Sequence, residues 1–243
     1  MTVDQVSHSA YVVAGTNVNW ALVSDGSGVT LIDAGHPADT PAVLDSVRQV
    51  GHQVTDVAAV LLTHAHLDHI GAIPAVVERV GMPVYTGSEE VRHAKRQYLR
   101  QITPAQMIQQ LTTRRDRHWV GHTLRAVRGH IKMTVWTAGG GDNAALAALP
   151  GGPTALPSPG HTSAHTAYLL ASEKVLFSGD ALVTGHPLLA QTGPQPLPRV
   201  FNHDQAAARA SAGQLANQPA TTLVPGHGQP LRRNLKEPWK PWL

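Results

Sequence analysis

The sequence contains no cysteine, and this absence excludes several kinds of chemistry. Without thiols the chain can form neither a disulfide nor a thiolate metal site, and it has no thiol nucleophile. Long apolar runs are also missing, and none approaches the roughly 18 residues that a membrane-spanning helix needs. Any transition metal must therefore be held by imidazole and carboxylate groups, a ligand set that suits zinc, iron, nickel or manganese.

The start of the chain lacks the features of a secretory leader. The segment "MTVDQVSHSAYVVAG" has neither a basic first part nor an apolar stretch of roughly 7–15 residues. With 243 residues, 42% of them apolar, the chain is long enough to bury a substantial core. We therefore expect one folded domain over residues 1–243, located in the cytoplasm and without a membrane segment.

Short predicted strands and helices alternate along most of the chain. Runs rich in β-branched residues predict strands at 10–15, 19–25, 28–35, 57–63, 83–87, 131–139, 154–160, 166–172, 174–180 and 221–228. Helix-start signals and apolar spacing predict helices at 39–51, 73–81 and about 204–217. The order of strands, helices, strands and helix occurs about twice, which favours two similar halves.

Residues 88–130 interrupt this alternation with two predicted helical stretches, 88–101 and 103–127. Between Ser88 and Lys132 there are ten Lys or Arg residues and only three acidic ones, a net charge of +7. The remainder of the chain, with nine basic and thirteen acidic residues, carries −4. We therefore predict a basic helical insert at about 88–130. Residues 231–243 are predicted to form a C-terminal tail.

The stretch "THAHLDHIG", residues 63–71, concentrates potential metal ligands directly after a predicted buried strand. His64 and His66 point the same way from an extended backbone, because side chains alternate along a strand. Asp68 and His69 follow where the chain turns into the next helix. A lone histidine would be an ordinary loop residue, but this spacing can offer two ligands to one metal ion and two to a neighbouring ion.

Three later motifs supply what the first one lacks. His161 lies in "SPGHTSAH", Asp180 in "VLFSGDAL" and His227 in "LVPGHGQP". Each follows a predicted strand and sits beside a glycine that permits a tight turn. Four such motifs in chain order indicate one composite site.

The order HxHxDH, GHT, SGD, GHG resembles the dinuclear HxHxDH subgroup of the metallo-β-lactamase-fold hydrolases, over about residues 10–230. The resemblance implies an α/β (α+β) fold, a four-layer αββα sandwich with the metal ions at one edge of the packed sheets. It implies two divalent ions, zinc by default, with iron and manganese as alternatives. The implied ligands are His64, His66 and His161 for the first ion, Asp68, His69 and His227 for the second, and Asp180 bridging both.

Two ions roughly 3.5–4 Å apart can share a water and lower its pKa, so that a bridging hydroxide attacks a carbonyl carbon. In this scheme Asp68 and Asp180 are the catalytic residues. Asp68 ligates one ion and orients the nucleophile. Asp180 offsets the combined positive charge and holds the two ions at their separation.

Other residues are weaker candidates for the site. Asp33, in "LIDAG", could accept the outer N–H of a ligand histidine, or it could simply cap the turn before Gly35. His165 has a supporting or a purely structural role. The cleft could also be lined by His36, His186 and His203. The residues that bind substrate remain unknown.

Differences between this sequence and the motifs of related enzymes reduce the number of reactions that the chain is expected to catalyse. Zinc β-lactamases of this superfamily generally have Cys or Ser where Asp180 stands, so β-lactam hydrolysis is disfavoured. Persulfide dioxygenases carry a Cys/Arg stretch that "GDALVTGHPLL" lacks. We predict hydrolysis of a small-molecule ester, thioester or lactone. Glyoxalase II-like thioester hydrolysis and phosphodiester or nuclease-type hydrolysis are the alternatives.

In the superfamily that the chain resembles, inserts near this position commonly cap the active-site cleft. The resemblance therefore implies a cap, and the charge of the insert favours an anionic substrate, through long-range steering and direct pairing. It equally suits a solvated helix face or a contact in a homo-oligomer. Nucleic acid is a disfavoured partner, because aromatic residues for base stacking are sparse in the insert. The identity of the substrate is open.

Overall fold

The first half of the chain forms a seven-stranded sheet in sequence order. A computed structural model describes residues 2–236, apart from the side chain of Pro104, so residues 237–243 of the predicted tail lie outside the described residues. The strands are β1 (Val3–Gln5), β2 (Ala10–Ala14), β3 (Asn19–Ser24), β4 (Val29–Ile32), β5 (Val57–Leu61), β6 (Val84–Thr86) and β7 (Ala138–Gly140). Strands β1 to β4 pair antiparallel, and β4 to β7 pair parallel.

The second half forms a five-stranded sheet. Its strands are β8 (Thr154–Pro157), β9 (Thr166–Leu170), β10 (Val175–Gly179), β11 (Thr222–Pro225) and β12 (Leu231–Arg232), in the order β12-β11-β10-β9-β8. Neighbours pair antiparallel except β10 and β11, which are parallel. The start of the predicted tail therefore provides the edge strand β12.

Eight helices accompany the two sheets over residues 2–236. They are α1 (Thr40–Gln49), α2 (Leu67–Ile70), α3 (Ile73–Val80), α4 (Ser88–Ala94), α5 (Pro104–Gln109), α6 (Arg114–Ala126), α7 (Asn143–Ala147) and α8 (Gln205–Ala216). Within this range, no helix is long and apolar enough to cross a membrane.

The apolar clusters show a four-layer order. Leu61 of the first sheet packs with Tyr168 and Phe177 of the second, so the two sheets bury a common core. The other face of the first sheet packs against α1 and α3. The other face of the second sheet packs against α8, through residues such as Leu215. The predicted αββα sandwich is confirmed.

Helix α1 shows how local sequence and packing agree. Pro41 stands in its first turn, and Val43, Leu44 and Val47 form its buried face. The indole N–H of Trp20 on β3 donates a hydrogen bond to Ser46 Oγ at 3.1 Å, which ties the helix to the sheet. The predicted boundary holds because one apolar face and a proline start signal point to the same helix.

The insert and the segment that follows it differ from their predictions in three places. The first helix ends at Ala94 rather than 101, because Arg96 adopts a left-handed φ of 55°. The second stretch is broken between α5 and α6, where Thr113 and Asp116 form a capping box that starts a new helix. The strand predicted at 131–139 is wrong except at its end. Its backbone instead bonds to the α4 turn, with Val135 N donating to Ala94 O.

The predicted ligands follow strands that end at one edge of the sandwich. His64 to His69 come after β5, Asp180 after β10 and His227 after β11. His161 lies in the loop between β8 and β9. Parallel pairing brings strand ends together, and loops beyond the carboxyl ends of strands are common locations for binding sites in α/β proteins. The fold thus places all four motifs beside one another.

Candidate metal centre

The structure brings all seven predicted ligands into one cluster. Their donor atoms form three overlapping groups, and within each group the atoms lie within 4.8 Å of one another. The groups are His64, His66 and His161; His64, His69 and Asp180; and Asp68, His69 and His227. Asp180 Oδ2 lies close to both outer groups, 3.4 Å from His161 Nε2 and 3.2 Å from His227 Nε2.

The ring nitrogens of the first group converge on one point. His64 Nε2 lies 3.1 Å from His66 Nδ1, and His161 Nε2 lies 3.2 Å and 3.1 Å from these two atoms. Ligand nitrogens about 2.0–2.1 Å from a tetrahedral zinc ion stand roughly 3.3 Å apart. Three converging lone pairs repel one another unless they share a cation. The triangle therefore fits a divalent metal ion.

The opposite nitrogens of these three rings are each held by an outer partner. His66 Nε2 donates to Arg100 O at 2.6 Å, and His161 Nδ1 donates to Asn202 Oδ1 at 3.2 Å. His64 Nδ1 lies 3.0 Å from Thr63 Oγ1. These partners assign the proton to the outer nitrogen, which leaves the inner nitrogen free to coordinate a metal.

The histidines of the third group, His69 and His227, follow the same rule. His69 Nδ1 donates to Asp33 Oδ2 at 2.8 Å, and His227 Nδ1 donates to Asn17 O at 2.6 Å. Their inner Nε2 atoms face two carboxylates. His227 Nε2 lies 3.5 Å from Asp68 Oδ2 and 3.2 Å from Asp180 Oδ2.

Two buried atoms in the second group, that of His64, His69 and Asp180, have no hydrogen-bond partner among the described residues. They are His69 Nε2 and Asp180 Oδ1, which lie 3.4 Å apart. A buried polar atom without a partner costs about 1–3 kcal/mol. A cation between the two atoms would satisfy both, so the second group also fits a metal ion.

The carboxylates give the cluster a negative charge that attracts cations. Burial would lower the pKa of His69 and His227, but the nearby carboxylates outweigh burial and raise both. Burial lowers the pKa of His161 to about 3 and that of His66 to about 4, so both rings stay neutral and can coordinate. Burial disfavours the charged form of Asp68, but the neighbouring His69, His36 and His227 outweigh it and lower the pKa of Asp68 to about 2. The pKa of Asp180 is also held well below its usual value, by His227 and His69 against the effect of burial.

Asp33, predicted as a support, lies beneath the ligand loop. Its carboxylate accepts hydrogen bonds from Thr63 N, Thr63 Oγ1 and His69 Nδ1, all at 2.8 Å. Its backbone has a left-handed φ of 57°, which few residues other than glycine adopt. One carboxylate thus holds the start of the loop and orients a histidine at its end.

His165, the other predicted support, lies beneath Asp180. The backbone N–H of Asp180 donates to His165 Nε2 at 3.1 Å. The other ring nitrogen, Nδ1, lies 2.8 Å from Ser158 Oγ. The pKa of His165 is lowered to about 4 by burial, so the ring stays neutral and Nε2 remains an acceptor.

Glu90 is a residue that the sequence analysis missed. Its fully buried carboxylate accepts hydrogen bonds from Ala65 N at 2.8 Å, His93 Nδ1 at 2.7 Å and Thr162 Oγ1 at 2.6 Å. Ala65 lies between two predicted ligands, and Thr162 follows a third, so Glu90 joins two ligand loops. The one sequence signal for its burial was the helical spacing. Glu90 stands one turn before Ala94, and both lie on the face of α4 that is buried in the fold.

A cleft of about 700 Å³, counting its open mouth, lies over the cluster. Predicted ligands form its floor, and two of the weaker candidates, His36 and His186, also line it. His203 is not among the lining residues, and its ring instead contacts the Arg100 guanidinium on the surface. The remaining walls are mostly apolar: Leu67, Ile102, Met107, Trp119, Val127, Leu197 and Phe201, with Asn17, Gln101 and Thr123.

Comparisons with known proteins agree with this geometry. The sequence profile of the metallo-beta-lactamase superfamily matches residues 13–227. A protein described as probable metallo-hydrolase YflN of Bacillus subtilis is 26% identical over 228 residues, which cover 86% of this chain and 79% of that protein. A hydroxyacylglutathione hydrolase of Halorhodospira halophila is 30% identical over 210 residues, 86% of this chain and 59% of that protein.

Solved structures show the same fold at lower identity. A metallo-beta-lactamase of Cronobacter sakazakii with a HARLDQ motif has a TM-score of 0.65 and 19% identity, covering 94% of this chain and 78% of that one. A metallo-beta-lactamase family protein of Thermus thermophilus has a TM-score of 0.63 and 23% identity, covering 94% and 76%. At such identities the likeness concerns the fold alone.

Proposed function

Because the chain belongs to the metallo-beta-lactamase superfamily, a family of metal-dependent hydrolases, we propose that it cleaves an ester, thioester or lactone bond in a small molecule using two divalent cations. The observation that carries the proposal is the convergence of five imidazoles and two carboxylates. Each of the five rings has its outer nitrogen held by a partner and its inner nitrogen directed into the cluster.

The proposed ligand assignment follows the geometric groups. His64, His66 and His161 hold one ion, Asp68, His69 and His227 hold the other, and Asp180 lies between them. Zinc is the proposed metal, and iron or manganese would also suit imidazole and carboxylate ligands. When bound, such cations supply Lewis acidity and lower the pKa of water at the site.

The two aspartates have different proposed roles. Asp68 lines the cleft, and 23% of its side chain is exposed. Its low pKa keeps it ionised at neutral pH, so that it can accept a hydrogen bond from the attacking water and orient it. Asp180 is only 3% exposed, and its carboxylate offsets positive charge between the two ligand groups. His165 Nε2 accepts a hydrogen bond from the backbone N–H of Asp180 and so holds Asp180 in place.

Thioester hydrolysis has support of its own among the three bond types. Hydroxyacylglutathione hydrolases are among the relatives, although the chain spans only 59% of the Halorhodospira protein. Glyoxalase II-like thioester cleavage is therefore the second candidate.

The proposed place for an anionic part of the substrate is the mouth of the cleft. No Lys or Arg stands among the described residues that line it. A shallower groove lined by Arg114, Arg115 and His118 adjoins the cleft and shares Asn17 and Trp119 with it. A negative group on the leaving part of the substrate could contact this groove. A homo-oligomer contact through the insert is a further proposal, supported by exposed Ile108 and Leu124.

A substrate panel tests the proposed reaction. Purified protein is assayed with aryl esters, acyl thioesters, lactones, a β-lactam and bis(4-nitrophenyl) phosphate. We expect cleavage of carboxyl substrates, loss of activity with a chelator and recovery with zinc. Cleavage of the phosphodiester alone would overturn the proposal.

The Asp180→Asn variant tests the site. We expect it to keep the circular-dichroism spectrum of the parent and to lose at least 100-fold in kcat. The matched control is Asp45→Asn, at an exposed residue, and its kcat should equal that of the parent.

Metal analysis of protein purified without added metal should find close to two ions per chain, and one or none would contradict the two-ion proposal.

A further inference from the structure

We propose that the cleft above the metal centre is a binding chamber for an uncharged, apolar acyl chain longer than acetyl. The substrate would then be a fatty-acyl ester, thioester or lactone. The bond that breaks is taken from the proposed function, whereas the chemistry of the chamber is inferred from its walls. The cleft lies directly over the metal ligands, and most of the other residues that line it are apolar.

The walls of the chamber are apolar and pack against one another. Met107 on α5 and Trp119 on α6 are 7% and 5% exposed, and they form one cluster with Val120. The Trp119 ring meets Phe201 edge to face, with ring centroids 5.7 Å apart. An aromatic wall of this kind offers a large apolar surface to a ligand at little cost in side-chain entropy.

The positive charge of the insert lies outside the chamber. Helix α6 turns Trp119 and Thr123 towards the cleft, whereas Arg117 and Arg125 are exposed on its other side. The described lining residues include no Lys or Arg. A carboxylate at the end of an acyl chain would therefore lose its hydration here without gaining an ionic partner, which is costly.

The chamber and the metal centre share one cleft, and this orients the substrate. His161, Asp68 and Asp180 line the floor, and Met107 and Trp119 line the roof. With the acyl carbonyl at the floor, the chain extends beneath α5 and α6. The leaving group then faces the mouth, where the Arg114 and Arg115 groove begins.

A chain-length series tests the chamber. With 4-nitrophenyl esters from acetate to octanoate, kcat/KM should rise about three- to fourfold per methylene until the chamber is full, because each buried methylene contributes about 0.8 kcal/mol. A hemisuccinate ester, whose acyl group is anionic, should react at least tenfold more slowly than the butyrate. A flat series, or a preference for the hemisuccinate, would overturn the chamber while leaving the hydrolase proposal standing.

Substitutions of wall residues test whether the chain-length preference arises from contacts with the apolar wall. Trp119→Ala should lower kcat/KM for octanoate at least tenfold and for acetate less than threefold, and Trp119→Phe should restore most of the loss. The matched control is Trp136→Ala, at a tryptophan that is 70% exposed. If Trp119→Ala does not fold, Met107→Gln keeps the side-chain volume and should show the same selectivity. Equal losses for both esters would contradict the assignment.

A binding measurement separates this proposal from the proposed function. In calorimetry, octanamide should bind the purified protein at least tenfold more tightly than acetamide, and Trp119→Phe should bind it more tightly than Met107→Gln. If no ester, thioester or lactone is cleaved but octanamide binds selectively, the chamber stands and the proposed reaction fails. Equal binding of both amides would overturn the chamber.

Discussion

The two parts of the basic insert are similar in composition but differ in what they contact. Helix α4 buries Glu90 and His93 against the ligand loop, and Arg96, just after the helix, donates to Ala65 O at 2.9 Å. Helices α5 and α6 instead bury Met107 and Trp119 over the cleft. Helix α4 therefore contacts the loop of the candidate ligands, whereas α5 and α6 cover the cleft. A continuous run of charge in the sequence does not indicate a single role.

The largest effect is expected at Glu90. In Glu90→Gln an amide replaces the carboxylate that accepts three hydrogen bonds. The two N–H groups of this amide are buried and need acceptors of their own. Loss of such an outer partner typically costs 10–100-fold in metal affinity or activity. We expect faster metal loss to a chelator, measured by atomic spectroscopy, and a lower kcat.

Glu89→Gln is the matched control for this variant. Glu89 is the neighbouring residue on α4, but its side chain is 56% exposed and pairs with Arg92 on the surface. It should retain metal as the parent does. Equal metal retention in Glu90→Gln and Glu89→Gln would refute the supporting role of α4.

Acid should remove the contribution of Glu90. Burial would raise its pKa, but hydrogen bonds from His93, Thr162 and Ala65 outweigh burial and lower the pKa from 4.5 to about 2. A carboxylate whose pKa is lowered by folding stabilises the folded protein at pH values above its pKa in the unfolded chain. This stabilisation is lost as the pH falls from about 4.5 towards 2. The contribution is a few kcal/mol in the free energy of unfolding.

Urea unfolding of the metal-free protein at pH 6 and pH 3 measures this loss. The parent should be more stable than Glu90→Gln at pH 6, and the difference should shrink at pH 3, because other titrating groups cancel in the comparison. A difference that does not change with pH would contradict the assigned pKa shift.

A smaller effect is expected at Arg96. Its guanidinium donates to Met133 O at 2.8 Å and to Ala65 O, so it joins the ligand loop to the segment before β7. Arg96→Ala should lower the free energy of unfolding by about 1–3 kcal/mol, because buried carbonyls lose a charged donor. Arg92→Ala, at an exposed arginine of helix α4, should change it by less than about 0.5 kcal/mol. Similar changes in the free energy of unfolding for the two variants would contradict the role of Arg96 in joining these segments.

The cover should affect stability without affecting the metal centre. Val120 is 5% exposed and belongs to the Met107 and Trp119 cluster. Val120→Ala should destabilise the protein by about 1–2 kcal/mol through lost packing. Its rate of metal loss to a chelator should equal that of the parent. Faster loss would mean that the cover and the α4 support act as one unit.

The smallest effect is expected on the outer face of α6. Arg117→Gln combined with Arg125→Gln removes two charges from exposed positions. The free energy of unfolding and the chain-length preference should both stay within error of the parent. A changed chain-length preference would show that these charges do reach the cleft.

Residues with a strong local signal were predicted from the sequence. The ligand motifs stand just after strands and beside glycines, and the structure brings them together as that pattern suggests. Strands β2 to β6 and helices α1, α3 and α8 are close to their predicted bounds, because periodicity and start or stop signals agree there. The break after Ala94 was not predictable, because Arg96 is turned by carbonyl groups more than 30 residues away in sequence.

The fold family and the candidate ligands could be predicted from the sequence alone, since both depend on short motifs whose spacing follows from strand and turn geometry. The burial of Glu90 between two ligand loops became visible only in three dimensions. The same holds for helix α6, where Arg117 and Arg125 face outwards while the apolar face covers the cleft. These properties depend on the rotation of each helix about its axis, which is set by the surfaces it packs against rather than by its own residues.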